Sequence, residues 1–266
     1  MNTAEDLDYA PLEGELRRYL ANQPGHYGIC CQDLNTGKSF GIDEEELFVQ
    51  ASCLKLAYVL CLYEQVSAGY YSLEQRLAYE AAHDYSDGSG YLQYFVAEGD
   101  RFSLRALAGV AITLSDNIAY RMIKRLLGAP SVLRYMEQMG MLHPRPNGEH
   151  CTTPRDMACC LRGVLNFIDR TPGLGARLLD DMTHPVWHDG LPLLLPDPVL
   201  VAHKEGDLDG VANDVGLVFL PGRPYLLAIL SGDQPEIKSG FRSIAQISKL
   251  VYDFHRHQIS GPESPG

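Results

Sequence analysis

Ser52-Cys53-Leu54-Lys55 sets a hydroxyl and an amine three positions apart at the head of an apolar run. On a helix, residues three apart share a face, so the Lys55 amine lies one turn from the Ser52 hydroxyl. A serine hydroxyl is a weak nucleophile at neutral pH and attacks only when a nearby base takes its proton. The run that follows to Val66, with Leu56, Ala57, Val59, Leu60 and Leu62, is apolar on nearly every side and predicts a buried central helix. A lysine drawn into such surroundings is desolvated and more easily neutral, the state a general base needs. The helix start adds free backbone N–H groups that suit a developing oxyanion. By itself the pair says little, because S-x-x-K is expected roughly once by chance in a chain of this length and ordinary composition.

Two further clusters follow in order. Ser115-Asp116-Asn117 is rarer, expected at roughly a few hundredths per chain. It also reads as a helix cap, since Ile118 to Ile123 continues as a helix, and a cap can still project side chains into a cleft. For the third cluster, Lys238-Ser239-Gly240 is the more literal lysine-hydroxyl-glycine triplet, but Phe241 to Val251 is an amphipathic helix that makes Ser239 its cap. Lys204-Glu205-Gly206 instead follows the β-rich Val199 to His203. It precedes two more strand-like runs, Asp214 to Leu220 and Tyr225 to Leu230, joined by the turn at Pro221-Gly222-Arg223-Pro224. A lysine on the first strand of such a meander can face the helix that carries Ser52.

Taken together, these residues resemble the penicillin-recognising serine hydrolases, most closely class A β-lactamases. Gly88 to Gln93, Phe102-Ser103-Leu104-Arg105, Thr152-Thr153-Pro154-Arg155-Asp156 and Asn213-Asp214-Val215-Gly216 extend the resemblance from about Tyr27 to Phe254. It implies that Ser52 is acylated, that Lys55 is its base or proton shuttle, and that Ser115 relays a proton to the leaving group. It further implies that Lys204 holds this network and attracts an anionic substrate, and that Asn117 binds the substrate's amide side chain. The N–H groups of Ser52 and Asp207 would form the oxyanion hole.

Two departures from the family pattern shape the expectation. The loop whose glutamate activates the hydrolytic water is shortened: between Leu142 and Cys151 the only carboxylate is Glu149, which is the candidate deacylating base and reads equally as a surface loop residue. The residue between Lys204 and Gly206, normally a small hydroxyl that helps bind the β-lactam carboxylate, is Glu205. A like charge there repels a carboxylate, and the meander offers no arginine before Arg223. Weak or atypical β-lactam turnover is expected, with a preference for a neutral ester or amide.

Composition narrows the classes. A chain of 266 residues with formal charge -12 and pI near 5.1 argues against nucleic-acid and anionic-membrane partners, and no apolar run spans a bilayer. The acidic Met1 to Asp8 has no signal-peptide core, which points to the cytoplasm, or to a periplasmic or secreted protein whose leader was removed. Seven cysteines leave at least one unpaired; Cys30-Cys31 and Cys159-Cys160 lack metal-ligand spacing, and buried free thiols are expected. Cys53 is read as pointing away from the site. His184 and His188 with Asp181 and Asp189 sit among prolines and read as structural, so neither a metal nor a cofactor is expected.

The expected fold class is α+β: an antiparallel sheet flanked by helices and assembled from both termini (1–51 and 182–259), plus an inserted all-helical subdomain (52–181). A helix is expected near Ala10–Asn22 and strands near Tyr27–Gln32 and Ser39–Ile42; 260–266 reads as a disordered tail. The site would lie at the junction of the two parts. Alternatives to a serine hydrolase are a sensor or penicillin-binding module that is acylated without turnover, and a D,D-peptidase.

Overall fold

The computed structural model describes residues 7–144 and 150–259; Glu149 and the 260–266 tail lie outside the described residues. The chain opens with α1 (Ala10–Leu20), β1 (His26–Asp33), β2 (Ser39–Ile42), β3 (Phe48–Val49) and a 3-10 turn at Ala51–Cys53. There follow α2 (Leu54–Ser67), β4 (Arg76–Ala78), α3 (Ala81–Asp84), β5 (Arg101–Ser103), α4 (Leu104–Thr113), α5 (Asn117–Leu127), α6 (Ala129–Gln138), β6 (Cys151–Thr152), α7 (Pro154–Arg170) and α8 (Pro172–Thr183). The chain returns through β7 (Leu200–Leu208), β8 (Val211–Phe219) and β9 (Tyr225–Gly232) to α9 (Ile237–Ile259).

One five-stranded sheet, in the order β2-β1-β9-β8-β7, is antiparallel throughout. Strands from both ends of the chain meet where β1 pairs with β9, from His26 opposite Gly232 to Asp33 opposite Tyr225. Strand alternation sends side chains to two cores. Ile29, Cys31, Leu227 and Ile229 pack with Leu12 and Leu16 of α1 and with Ile244, Ile247 and Val251 of α9. Cys30, Leu226, Ala228 and Leu230 pack on the opposite face, in the core that holds α2 and α7.

Every residue of α2 from Leu54 to Tyr63 is buried, as its apolar sequence requires. The helix lacks a side-chain N-cap. A cap contributes only about 1 kcal/mol, whereas burying one leucine contributes roughly 1.5–3 kcal/mol. Packing therefore holds this helix, and it can place a buried lysine where chemistry needs it.

Several boundaries differ from the sequence expectation. The helical block also contains a two-stranded ribbon, β4 with β5, and β6 of that block pairs with β3. These strands are two or three residues long, too short for alternation to show. Ser239 is not a cap: α9 begins at Ile237, and the Ser239 hydroxyl donates to the Glu236 carbonyl at 2.7 Å within the first turn. None of the seven cysteines is in a disulfide, and all but Cys151 are buried. Among the described residues, no helix is long and apolar enough to cross a membrane.

Candidate active site

The nucleophile candidate sits in the 3-10 turn ahead of α2 rather than in the helix itself. Ala51, just before it, has φ of 46°, a left-handed conformation that a non-glycine residue holds only when its surroundings enforce it. Those surroundings are visible. Gln50 donates its backbone N–H to the His150 carbonyl at 2.8 Å, and its side-chain amide reaches the carbonyls of Pro144, at 2.8 Å, and Cys151. Asn213 of β8 donates to the Val49 carbonyl at 2.8 Å. Gly206 of β7 lies so close that a Cβ there would fall 2.6 Å from the Ser52 nitrogen, which explains glycine at this position. The edge strand β7 thus runs directly against the turn, with Asp207 next in line. Cys53 is excluded as a nucleophile: its thiol is fully buried on the Lys204 carbonyl at 3.2 Å, and burial raises its pKa.

Ser115 joins the two lysines. Its Oγ accepts from Lys55 Nζ at 3.1 Å and from Lys204 Nζ at 3.1 Å. Lys55 also donates to the Ser115 carbonyl and to Asn117 Oδ1 at 2.7 Å, while Lys204 donates to the Glu205 carbonyl at 2.6 Å. Ser115 itself has φ of 54°; Asp116, not Ser115, caps α5 by accepting from the Ala119 N–H at 2.9 Å. Dividing the work in this way frees the serine hydroxyl for the cleft. Burial, followed by the charge of Lys204, pulls the Lys55 amine down to about 7, and burial also lowers Lys204. Ser52 Oγ is not among the partners of Lys55 in this arrangement. An ammonium has three donors and all three are used; loss of one proton leaves the lone pair that could accept the Ser52 hydrogen. Asn117 donates to the Asp87 carbonyl at 2.7 Å, so it ties the 86–90 segment to the lysine and retains one N–H for an incoming carbonyl.

The opposite face of β7 carries a second charged group. Glu205 accepts the Gly190 N–H at 2.9 Å, and its cross-strand neighbour Asp214 accepts the Leu191 N–H at 2.7 Å and bonds His203 Nδ1 at 3.0 Å. Burial first, and then the Asp214 carboxylate, push the Glu205 carboxyl up to about 7. Burial works against a charged His203, but Asp214 outweighs it and holds the ring above its ordinary value. Ligand-type atoms of His203, Glu205 and Asp214 lie within 4.8 Å of one another, a grouping that spacing alone did not suggest. The Asp214 carboxylate is taken by the Leu191 N–H and by His203, whereas Glu205 gives one oxygen to Gly190 and His203 Nε2 has no hydrogen-bond partner among the described residues. The residues weighed from sequence as metal ligands do not converge. Both Asp181 oxygens bind Arg105, at 2.7 and 2.8 Å, His184 is exposed, and only His188 approaches His203, with 5.8 Å between ring centroids.

Ser52, Lys55, Ser115, Asn117, Lys204, Glu205 and Asp207 all line one cavity of about 1050 Å³ at the junction of sheet and helices. A model of the beta-lactamase enzyme family matches residues 11–255. The chain belongs to that family. It is 27% identical to a β-lactamase of Bacillus licheniformis over 92% of this chain and 81% of the relative. It is 29% identical to one of Streptomyces fradiae over 91% and 85%. The solved structure of PBP-A superposes with a TM-score of 0.86 at 27% identity, covering 93% of this chain and 97% of PBP-A. A point mutant of PBP-A has also been solved as an acyl-enzyme complex with penicillin G. Fold class and family are those expected from the motifs, and the chain is a hydrolase of the β-lactamase type.

Proposed function

We propose that the chain forms an acyl-enzyme on Ser52 with a β-lactam or a related amide or ester. The observation that carries this reading is Ser115 Oγ held at 3.1 Å from both Lys55 and Lys204 in the cleft that contains Ser52. Neutral Lys55 takes the Ser52 proton as Oγ bonds to the substrate carbonyl carbon. The N–H groups of Ser52 and Asp207 receive the oxyanion. When the carbonyl–nitrogen or carbonyl–oxygen bond breaks, the leaving atom takes the Ser115 proton, and the Lys55 ammonium restores it. Glu149 is proposed to activate the water that cleaves the ester. Weak β-lactam turnover follows from Glu205 and from the absence of arginine among the described cleft residues.

Acylation without efficient turnover is the second reading, supported by the penicillin G acyl-enzyme of a PBP-A mutant. Intact-mass spectrometry after exposure to a panel of β-lactams and activated esters tests both. An adduct that Ser52→Ala abolishes is expected, with a lifetime that Glu149→Gln lengthens. No Ser52-dependent adduct or hydrolysis across the panel would refute acyl transfer. An unchanged lifetime would remove Glu149 from the mechanism, and benzylpenicillin hydrolysis at ordinary β-lactamase efficiency would refute weak turnover.

A further inference from the structure

Among the described residues, the charges on the cleft wall are lopsided. Asp87, Asp189, Glu205, Asp207 and Asp209 line it, against Lys55, Lys204 and Lys238. Lys55 and Lys204 are buried and committed to Ser115, which leaves Lys238 at the rim as the exposed lysine among the described lining residues. The four aspartates are exposed, and among the described residues their carboxylates make no ion pair or hydrogen bond. Glu205 differs from them. It is more than nine-tenths buried, lines the cleft, gives Oε1 to the Gly190 N–H, and has no partner for Oε2 among the described residues.

Placement adds direction to the charge. Glu205 and Asp207 share one side of β7, and Asp209 follows in the turn to β8. The carboxylates therefore continue along the edge strand from the point where Gly206 touches the Ser52 turn. Trp187, Tyr91 and Tyr94 line the same cleft and are more than half exposed, offering aromatic faces that attract cations when desolvated.

We infer that the cleft selects acyl donors carrying a positive charge beside the scissile carbonyl, an ammonium or guanidinium seated along Glu205, Asp207 and Asp209. The inference rests on the acyl-transfer reading above and replaces the neutral ester or amide expected from Glu205 alone. Like-signed walls in a low-dielectric cleft focus the field, raise the local concentration of a cation and repel a carboxylate. Because Asp207 and Asp209 are exposed, salt weakens their part of the effect over a Debye length of about 8–10 Å.

Three p-nitrophenyl esters of matched length test it, with acyl chains ending in trimethylammonium, tert-butyl or carboxylate. Each rate of Ser52 acylation, read as nitrophenolate burst and adduct mass, is divided by the ester's own rate in buffer. At low ionic strength and pH 8, where Glu205 is ionised, the trimethylammonium ester should acylate at least about ten-fold faster than its tert-butyl isostere, with the carboxylate slowest. The gap should shrink in high salt and in Asp207→Asn/Asp209→Asn, whose side chains are exposed. Equal normalised rates, or a fastest carboxylate ester, would overturn the charge preference and leave acyl transfer standing. Absence of any Ser52-dependent adduct would overturn acyl transfer, and the preference with it.

Discussion

Adjacent residues of β7 feed two buried charge clusters on opposite faces of one strand. Lys204 shares its face with Ala202, in the core of α2, and meets Lys55 at Ser115; Glu205 shares its face with Val201, in the core of α9, and meets Asp214 and His203. Both clusters crowd like charges out of water, and each answers by giving up charge. Lys55 falls to about 7, and Glu205 rises to about 7. The consequences differ because the two clusters are wired differently. The lysines converge on a hydroxyl that can pass a proton onward, whereas the carboxylates accept backbone N–H groups of Gly190 and Leu191. The first arrangement suits the proposed proton transfer, and the second ties the 190–191 loop to the sheet and leaves one oxygen over.

Removing the amine that titrates is the largest break in this comparison. Lys55→Ala should slow acylation on the order of 10³-fold, within the range for losing a general base. With Lys55 as the proposed base, the wild-type acylation rate should rise with pH and level off above about 7, because only a neutral amine accepts a proton. A flat profile from pH 5 to 9, at constant substrate charge, would mean that another group is the base. The next effect down separates the wiring from the base. Ser115→Ala removes the hydroxyl between the amines and should cost on the order of 10²-fold with an amide, but much less with an activated ester that leaves unprotonated. Equal losses on amide and ester of the same acyl group would reduce Ser115 to a positioning residue.

The two clusters were also unequally legible. Ser52, Lys55, Ser115 and Lys204 could be found because each sits in a short motif of fixed spacing, and the buried α2 followed from its uninterrupted apolar run. Asp116 rather than Ser115 being the cap was open to either reading, since both residues favour that position. The His203–Glu205–Asp214 cluster depends on strand register, which residue types alone do not reveal. A signal was present: Asp209-Gly210 is a two-residue hairpin pair, and counting outward from Leu208 opposite Val211 brings Glu205 opposite Asp214. Lys204 is expected on the first strand, but the β-rich runs themselves end at His203 and resume at Asp214, so residue types alone leave the pairing between them unmarked. Glu205 lines the cleft, and one of its oxygens also anchors Gly190, a contact that only the register reveals.

The smallest expected effect concerns the anionic cluster, and it appears in stability rather than rate. A carboxyl whose folded pKa is raised destabilises the fold as pH climbs from its ordinary value, 4.5 here, to its folded value, about 7, and the penalty is complete above that. Glu205→Gln keeps an oxygen for the Gly190 N–H and removes the charge. Asp214 and Asp189 disfavour that charge, while His203 favours it. The variant should therefore unfold at a higher temperature than the wild type at pH 8, by on the order of 1–3 kcal/mol or a few °C, and at the same temperature at pH 4. Thermal unfolding across that window is decisive. Parallel curves for the two proteins would mean that His203 neutralises Glu205 in the fold, and that burial on this face of β7 gives up no charge.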